Sequence, residues 1–319
     1  MGKLLSDDGQ MESFLQAIVA GDSKCPVLVW MDEGRRGELR EEWIVERGAM
    51  LDWLPSWVSL VEREFSAGKS ALWEDGVVYP MDFSSVWAAS ALLEVGDQSQ
   101  CRVLDVCAAP GGKSLLASRF LCPERLVSNE VIGKRLAILR SNLGRCGIPN
   151  AFTQRRDPSE LGELAGKSFD VVLVDAPCSG QSLVARGIEN PGCFHPKTIK
   201  KNALRQRRII AESLKCVAPG SFLLYTTCTF AIEENEKVVE WLLARNAGLR
   251  AIEVAHLSAW RSEYSEFPAY RLYPDDGMGA GAFAALLQTV GDRSDRIEPS
   301  EALFEFPVAS KKTKSEEGD

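Results

Sequence analysis

Short apolar segments alternate with longer amphipathic segments from Cys101 onward. The apolar segments include CRVLDV, RLVSNEV, FDVVLVD and SFLLYTT. FDVVLVD has the composition of a strand that is buried on both faces, as strands are when helical crossovers cover a parallel sheet. The alternation therefore predicts an α/β fold, in which a doubly wound and mostly parallel sheet carries helices on both faces.

Helices are expected between these strands. They are predicted at residues 113–121, in KRLAILRSNLGRC, in a segment that ends near Val217, and in EENEKVVEWLLARN. The last two apolar segments, FPAYRLYP and AGAFAALLQTV, are predicted to pair as an antiparallel C-terminal hairpin.

The two ends of the chain lack this alternation. Residues 1–95 are acidic and rich in tryptophan, and we predict a small N-terminal α+β region there. Residues 96–290 are predicted to form the domain that carries the chemistry. Residues 291–319 form a C-terminal extension, whose polar tail KKTKSEEGD is expected to be disordered.

Composition limits the class of protein. The chain has 319 residues, of which 45% are hydrophobic and 26% are charged, as is typical of globular proteins. Its nine cysteines are odd in number and never stand as C-x-x-C, and there are only two histidines. These counts argue against a disulfide framework and against a zinc cluster, so no metal is expected.

The sequence gives no reason to expect a membrane protein. MGKLLSDDGQMESF has acidic residues where a signal peptide needs its apolar core. No apolar run reaches the roughly 18 residues that would span a bilayer. We therefore expect a soluble, cytoplasmic protein.

Charge is unevenly distributed along the chain. The net charge is −8, which argues against indiscriminate binding to a polyanion. One segment, HPKTIKKNALRQRR at residues 195–208, nevertheless holds six basic residues and no acidic one. Such a stripe is typical either of a surface for an anionic partner or of a solvated helix face, and the sequence leaves both open.

The residues that follow each strand are the candidates for chemistry, because open parallel sheets bind ligands beyond the carboxyl ends of their strands. The first strand is followed by DVCAAPGGKS, whose small residues let a ligand approach the backbone near a helix N-terminus. A P-loop would need a glycine at Cys107, and the dinucleotide fingerprint G-x-G-x-x-G is missing. The segment is therefore either a cofactor loop or a tight turn.

Acidic residues follow the next two strands. Glu130 stands 25 residues after Asp105, near the spacing at which doubly wound folds place an acid that accepts hydrogen bonds from a ribose. Asp157 follows the third strand. Either acid could instead serve a helix start or cap a turn. Taken with the loop, they favour a pocket for an adenosine-bearing cofactor.

Two cysteines lie at the ends of the fourth and fifth strands. Cys178 belongs to DAPCSG and Cys228 to YTTCTF. A single cysteine at such a position is usually a small buried hydrophobe. Two cysteines at one sheet edge, beside Asp175 and a glycine-rich loop, favour a functional site.

These motifs together resemble a known family. DVCAAPGGKS, NEVIGKR, DAPCSG, TTCTF with ENE, and RLYPDDGMGAGAFAALL resemble the RNA cytosine-C5 methyltransferases of the RsmB/NOP2/Sun family over residues 79–288. PCSG followed by TC distinguishes this family from amino-methyltransferases, which carry Pro-Pro-Tyr or Pro-Pro-Phe after the fourth strand. The resemblance implies a Rossmann-like sheet that uses S-adenosyl-L-methionine.

The resemblance also implies how the cofactor is held. Glu130 would contact the ribose, Asp157 would lie on the adenine side, and Asp175 would lie between cofactor and base. The remaining implied cofactor residues form the loop after the first strand: Cys107, Ala108, Ala109, Pro110, Gly111, Gly112 and Lys113.

The implied chemistry accounts for two thiols. Cytosine C5 is too weak a nucleophile to take a methyl group unaided, so a thiolate must first add to C6. The family pattern gives this attack to Cys228 and gives resolution of the adduct to Cys178. Asp175 would hydrogen-bond the cytosine edge, and Lys113 would help to keep a thiol ionised.

The expected partner is RNA, with ribosomal RNA favoured and the target cytosine in a single-stranded or opened loop, because the base must leave its stack. Residues 1–95 are a candidate RNA-binding region, and no other partner is expected, so the protein should be a monomer. Met81 stands where many relatives carry Gln. The candidate substrate-binding residues lie in the basic segment: Lys200, Lys201, Arg205 and Arg208.

Three alternatives remain open at this point. The same chemistry could act on transfer RNA. A catalytically silent RNA-binding assembly factor could have the same fold, because fold does not fix function. A nucleotide-binding NTPase would use Gly112, Lys113 and Ser114.

Overall fold

The computed structural model describes residues 8–46, 51–96 and 100–309. The polar tail that is predicted to be disordered lies outside these residues. Within the described part of the chain, no helix is both long enough and apolar enough to cross a membrane.

An antiparallel sheet organises the N-terminal region. Its strands are β1 (Pro26–Trp30), β2 (Ile44–Val45), β3 (Val58–Val61) and β4 (Val78–Asp82). Their order is β2-β3-β1-β4. The helices of this region are α1 (Asp8–Ala20), α2 (Ala71–Glu74) and α3 (Phe83–Ala89). The predicted small α+β region is therefore confirmed.

A larger sheet contains the alternating part of the chain. Its strands are β5 (Arg102–Asp105), β6 (Arg125–Asn129), β7 (Ala151–Gln154), β8 (Phe169–Asp175), β9 (Val217–Thr227), β10 (Leu249–Ala251), β11 (Tyr270–Leu272) and β12 (Ala282–Thr289). The order is β10-β12-β9-β8-β5-β6-β7, with β11 paired to β12. The pairs among β5 to β9 are parallel, which confirms the α/β prediction.

The last strands run against the others. β12 is antiparallel to β9, β10 and β11, and its pairing with β11 confirms the predicted hairpin. Short 3₁₀ turns fill several connections between elements. They lie at Glu33–Glu38, Glu41–Trp43, Ala67–Lys69, Ser90–Val95, Ala255–Trp260, Pro274–Asp276, Arg293–Asp295 and Glu301–Phe304.

Helices connect the parallel strands. They are α4 (Gly112–Leu121), α5 (Gly133–Arg145), α6 (Pro158–Leu164), α7 (Ser182–Ala185), α8 (Pro196–Leu214) and α9 (Glu236–Leu243). Two predicted boundaries are wrong. The helix expected to end near Val217 ends at Leu214, because Val217 already pairs with Phe169 in the sheet. The helix expected from Glu233 begins only at Glu236, after two fully buried polar residues.

The direction of the chain across the sheet reverses between β5 and β8. From β5 the chain proceeds outward through β6 to β7, whereas β8 leads to β9 on the other side. Doubly wound sheets bind ligands in the crevice at such a point, outside the carboxyl ends of the strands. The topology therefore places the candidate site at the ends of β5 and β8.

One apolar core joins the two sheets. Phe83 and Trp87 of α3 are fully buried in the same cluster as Leu116 of α4 and Leu139 of α5. The backbone contact is close as well, because a Cβ at Gly76 would lie 1.7 Å from the carbonyl oxygen of the last residue of α5. The N-terminal sheet thus packs directly on the large sheet, and a domain boundary at residue 95 stays a prediction.

The described part of the C-terminal extension also packs on the large sheet. Asp170 of β8 is 1% exposed and accepts hydrogen bonds from the side chains of Arg293 and Arg296, each at 2.5 Å. Leu303 is fully buried. Residues 291–309 therefore help to close the amino end of β8.

Asp105, the last residue of β5, is a fully buried acid. One of its oxygens accepts a hydrogen bond from Ser114 Oγ at 2.7 Å. Burial raises the pKa of Asp105 to about 7, against the opposing hydrogen bond from Ser114. Asp105 is therefore protonated in the folded chain under conditions in which an unfolded chain would have lost that proton.

This difference predicts a pH-dependent stability. Because the folded pKa lies above the unfolded value, the contribution of Asp105 is fully present below about pH 4 and is lost as the pH rises through about 7. We expect Asp105→Asn, which cannot ionise, to gain stability relative to the parent as the pH rises from about 4 to about 7, by at most about 1.4 kcal/mol per pH unit, and the difference should then level off. Urea unfolding of both proteins at several pH values measures the difference, and a pH-independent difference would contradict the assignment.

Candidate active site

The strand ends of the large sheet bring the candidate residues to one place. β5, β6, β8 and β9 are parallel neighbours, so the segments that follow them leave the sheet at the same edge. In the register of the sheet, Asp105 lies opposite Leu173, and Asp175 lies opposite Thr226. The loop after β5, Asp175 and both cysteines thereby become neighbours.

The loop after β5 is held by two side chains of α5. Arg135 Nη2 donates to the carbonyl oxygen of Ala109 at 2.6 Å, and Asn142 Nδ2 donates to that of Pro110 at 2.9 Å. Gly111 has a φ of +117°, a value that favours glycine. The loop is therefore a fixed turn that leads into the N-terminus of α4.

The other loop residues connect this turn to its neighbours. The amide of Ala108 donates to the carbonyl oxygen of Asn129 at 2.9 Å. Burial raises the pKa of the Cys107 thiol well above its usual range, so this cysteine stays protonated. Gly112 begins α4, and a Cβ there would lie 3.7 Å from the terminal methyl group of Met81, an ordinary contact distance.

Glu130 follows β6 and is 3% exposed. Its Oε1 accepts from the amide of Ile132 at 2.9 Å, and its Oε2 lies 3.2 Å from Arg135 Nη1. Asn129, which the sequence reasoning missed, is fully buried and donates to carbonyl groups that follow β5 and β7, each at 3.0 Å. In the sequence, Asn129 is visible only as an amide side chain at the end of a predicted strand, directly before Glu130.

Asp157 caps a helix. Its Oδ1 accepts from the amide of Ser159 at 3.1 Å, which closes the N-terminus of α6. Its Oδ2 accepts from Arg208 Nη2 at 2.7 Å. The hydrogen bond from Arg208, followed by that from Ser159, lowers the pKa of Asp157. The structure thus shows a cap that also ties α6 to α8.

Asp175 and Lys113 face each other at the centre of the site. Lys113 Nζ lies 3.5 Å from Asp175 Oδ2, and Thr226 Oγ1 donates to Asp175 Oδ1 at 2.8 Å. Lys113 is mostly buried, whereas the Asp175 side chain is 39% exposed. Asp175 is therefore oriented by two partners and still open to a ligand.

Cys178 and Cys228 are in contact. Their sulfur atoms are 3.3 Å apart, and the Cys228 residue is the more exposed of the two. The hydrogen bond between the thiols raises the pKa of Cys178, and burial raises it further. The same hydrogen bond lowers the pKa of Cys228, although burial opposes it. Cys228 therefore loses its proton more readily than Cys178 does.

The two loops that carry these cysteines are bonded together. Ser179 Oγ lies 2.7 Å from Thr229 Oγ1. Asn235 accepts from Thr227 Oγ1 at 2.6 Å and donates to the carbonyl oxygen of Thr229 at 2.8 Å. These side chains are all buried. The ENE motif that belongs to the family resemblance contains Asn235, but the sequence did not predict this contact.

The basic segment forms α8. Lys200, Lys201, Arg205 and Arg208 are exposed, whereas Arg207 is half-buried and lies over the ring of a tryptophan of α9 at 5.7 Å. Arg208, on this exposed face, donates to Asp157, the acid that follows β7. These four cations therefore lie on the outer face of a helix that extends to the carboxyl edge of the sheet.

The cysteines do not form disulfides. All nine are free thiols. Within the ranges that the structure describes, there is no group of three or more His, Cys, Asp or Glu residues that could hold a metal ion.

Named relatives share this chain's sequence pattern. A family model described as 16S rRNA methyltransferase RsmB/F matches residues 91–288. The ribosomal RNA small subunit methyltransferase F of Serratia proteamaculans is 33% identical over 254 residues, which are 79% of this chain and 53% of that protein. The protein of the same name from Cronobacter sakazakii is 30% identical over 270 residues, 82% and 56% respectively. The chain spans about half the length of these curated relatives.

Solved structures share its fold. A methyltransferase homolog protein from Pyrococcus horikoshii superposes with a TM-score of 0.71 at 24% identity and covers 87% of this chain and 90% of its own. NSun6 from the same organism, solved with SFG, gives a TM-score of 0.63 at 27% identity, with 72% and 57% covered. The family match spans the large sheet from β5 into β12 and covers more than half of the chain. The chain therefore belongs to the 16S rRNA methyltransferase RsmB/F family.

Proposed function

We propose that this chain methylates C5 of a cytosine in ribosomal RNA, with S-adenosyl-L-methionine as the methyl donor and Cys228 as a covalent nucleophile. The observation that carries the proposal is the pair of thiols with sulfur atoms 3.3 Å apart at the sheet edge. Membership of a ribosomal RNA methyltransferase family supports the substrate class.

The residues at the strand ends fit S-adenosyl-L-methionine. Ionised carboxylates only accept hydrogen bonds, which suits ribose hydroxyl groups at Glu130 and the positively charged end of the cofactor near Asp175. The first N–H groups of α4 lack partners within the helix and suit a carboxylate. When bound, the cofactor supplies an electrophilic methyl group. We assign its pocket to residues 107–113, Glu130, Asp157 and Asp175.

Cys228 has the properties that the first step needs. Its lowered pKa favours the thiolate, which is the nucleophilic form. A bond from Cys228 Sγ to cytosine C6 would move the electrons of the C5–C6 double bond toward C5 and N3, which makes C5 nucleophilic. Asp175, held by Lys113 and Thr226, would bind the amino edge of the base.

Cys178 suits the release of the product. Its pKa is raised mainly by the hydrogen bond with Cys228 and by burial, and the charge of Cys228 adds to this effect. Once Cys228 is bonded to C6 it carries no charge, so the contribution of Cys228 to that shift disappears and Cys178 becomes easier to ionise. Cys178 can then remove the proton from C5, after which the bond between Cys228 and C6 breaks.

Two alternatives make different predictions for one experiment. The chain can be incubated with radiolabelled S-adenosyl-L-methionine and total RNA from a strain that lacks the gene, and the methylated cytosines can then be mapped. Label in ribosomal RNA supports the proposal, and label confined to transfer RNA moves the same chemistry to that substrate. An absence of label in any RNA indicates a silent assembly factor.

The first prediction from this proposed function concerns the cofactor. Glu130→Ala should weaken S-adenosyl-L-methionine binding by about 1 to 3 kcal/mol, the scale of a lost charge-assisted hydrogen bond. Calorimetry measures the affinity. Glu130→Gln is the matched control, because its side-chain oxygen can still accept from the amide of Ile132 and so preserves the turn. Unchanged affinity in a folded Glu130→Ala protein would remove Glu130 from the pocket.

The second prediction separates the two cysteines. Cys228→Ala cannot form the bond to C6, so methylation should be lost and no protein should migrate joined to RNA on a denaturing gel. In the Cys178→Ala protein, Cys228 should still add to the base and the methyl group should still be transferred. The protein should then remain joined to the RNA because release fails.

Cys146→Ala serves as the control for loss of a buried thiol, since Cys146 lies at the end of α5. It should lose about 1 kcal/mol of stability and keep normal turnover. An adduct with Cys228→Ala but none with Cys178→Ala would reverse the two roles, and robust turnover by Cys228→Ala would exclude the covalent mechanism.

The third prediction concerns RNA binding. Replacing Lys200, Lys201, Arg205 and Arg208 of α8 by Ala should weaken RNA binding and flatten its dependence on salt, because fewer phosphate contacts release fewer counterions. A binding titration at several salt concentrations measures the slope. The matched control removes four other exposed cations: Lys167, Lys215, Lys237 and Arg250. Equal slopes in the two variants would show that the face of α8 is merely solvated.

A further inference from the structure

Cys178 is flanked by two peptide groups that buried side chains hold in place. Gln206 Nε2, from α8, donates to the carbonyl oxygen of Pro177 at 3.1 Å. Glu234 Oε2, from the segment after β9, accepts from the amide of Ser179 at 2.9 Å. Gln206 and Glu234 are both 0% exposed. The backbone is thus held on each side of the thiol.

The two holding side chains also bond to each other. Gln206 Nε2 donates to the same oxygen of Glu234 at 2.9 Å. Tyr225 Oη donates to the carbonyl oxygen of Glu234 at 2.7 Å and so anchors this residue to β9, the strand that leads to Cys228. We name this pair the Gln206–Glu234 clamp. It connects α8, the loop of Cys178 and the strand of Cys228.

Burial of the Gln206–Glu234 clamp costs free energy of folding. A buried carboxyl group loses its hydration, and this burial raises the pKa of Glu234 despite the hydrogen bonds that it accepts. Apolar residues of similar size would fill the space without that cost. What they could not do is bind the carbonyl and amide groups on either side of Cys178, and these contacts hold the backbone that carries the thiol.

We propose that Gln206 and Glu234 are positioning residues, which hold the Cys178 thiol against Cys228 and thereby set the rate of product release. This inference rests on the proposed function for the role of Cys178 in release. Neither residue belongs to the proposed contacts with base or cofactor, so RNA binding does not depend on the clamp. The attack by Cys228 depends on it only through the hydrogen bond from Cys178, which lowers the pKa of Cys228. Release depends on it, because proton removal from C5 requires the sulfur of Cys178 to be correctly placed.

The clamp also connects release with the proposed RNA surface. Gln206 lies on the inner face of α8, and the exposed cations of the same helix lie on its outer face. One helix would therefore contact the substrate on one side and hold the releasing thiol on the other.

Kinetics of Gln206→Ala test the proposal. We expect kcat to fall by about 10 to 100-fold, the scale of a misplaced catalytic group. KM for RNA should fall with it, so that kcat/KM changes much less than kcat, because the slowed step follows the attack. Protein joined to RNA should accumulate on a denaturing gel. Glu234→Ala should behave in the same way. Glu234→Gln should restore release, because its amide oxygen can accept from both Ser179 and Gln206.

Gln154→Ala is the matched control. Gln154 is 1% exposed and donates to the carbonyl oxygen of Ala302 at 3.0 Å, so its loss removes an equally buried amide far from the thiols. We expect normal release in this variant. Accumulation of adduct in Gln154→Ala as well would show that any loss of buried packing slows release, and would overturn the specific role of the clamp.

A second measurement needs no RNA and therefore separates this inference from the proposed function. An azodicarboxamide oxidant removes two electrons and two protons from a pair of adjacent thiols and leaves a disulfide. We expect the Cys178–Cys228 cross-link, quantified by peptide mass spectrometry, to form about 10-fold more slowly in Gln206→Ala than in the parent or in Gln154→Ala.

The outcomes are distinct. If Cys178→Ala never traps RNA, the proposed function fails, and the cross-linking rates alone decide whether the clamp positions the thiol. If the enzyme is active and Gln206→Ala releases its product at the parental rate, the inference is wrong, whatever the cross-linking rates are.

Discussion

The parallel pairing of β8 with β9 is the interaction on which the site depends. In this register Asp175 lies opposite Thr226 and Leu173 lies opposite Leu224, so the two following loops leave the sheet side by side. Both strands are buried along most of their length. A slip of one residue would turn each side chain of a strand to the opposite face, which the core does not tolerate. Hydrophobic burial thus sets the distance between two thiols that are 50 residues apart in sequence.

Buried polar side chains then hold in place the two loops that the strand register brings together. Three consecutive side chains at the start of α9 hold different parts of the site: Glu234 the loop after β8, Asn235 the loop after β9, and Glu236 a buried arginine, Arg271 of β11. Arg271 Nη1 in turn donates to the carbonyl oxygen of Phe230 at 3.0 Å, two residues beyond Cys228. Buried ion pairs add little net stability after desolvation. We therefore interpret this cluster as one that fixes the backbone around Cys228.

The fold could be predicted because its signals are local. The apolar run FDVVLVD is β8 with the same bounds, and both cysteines stand where the alternation of strands and helices places them. The contacts of the site could not be predicted in this way. Asp157 suits an adenine ligand and a helix cap equally well in sequence, and only the position of Arg208 in space reveals the ion pair. Gln206 lies among basic residues that dominate the pattern of α8, and its contact with Pro177 depends on how that helix packs on the sheet.

The shared core of the two sheets has a consequence for synthesis on the ribosome. Phe83 and Trp87 leave the ribosome before α4 and α5, yet the cluster that buries them includes Leu116 and Leu139. At about 5 to 20 residues per second, the 52 residues from Trp87 to Leu139 take roughly 3 to 10 seconds to appear. During this interval the nascent chain carries large aromatic side chains that lack part of their burial partners. Full burial of the N-terminal region therefore waits until α4 and α5 have been synthesised.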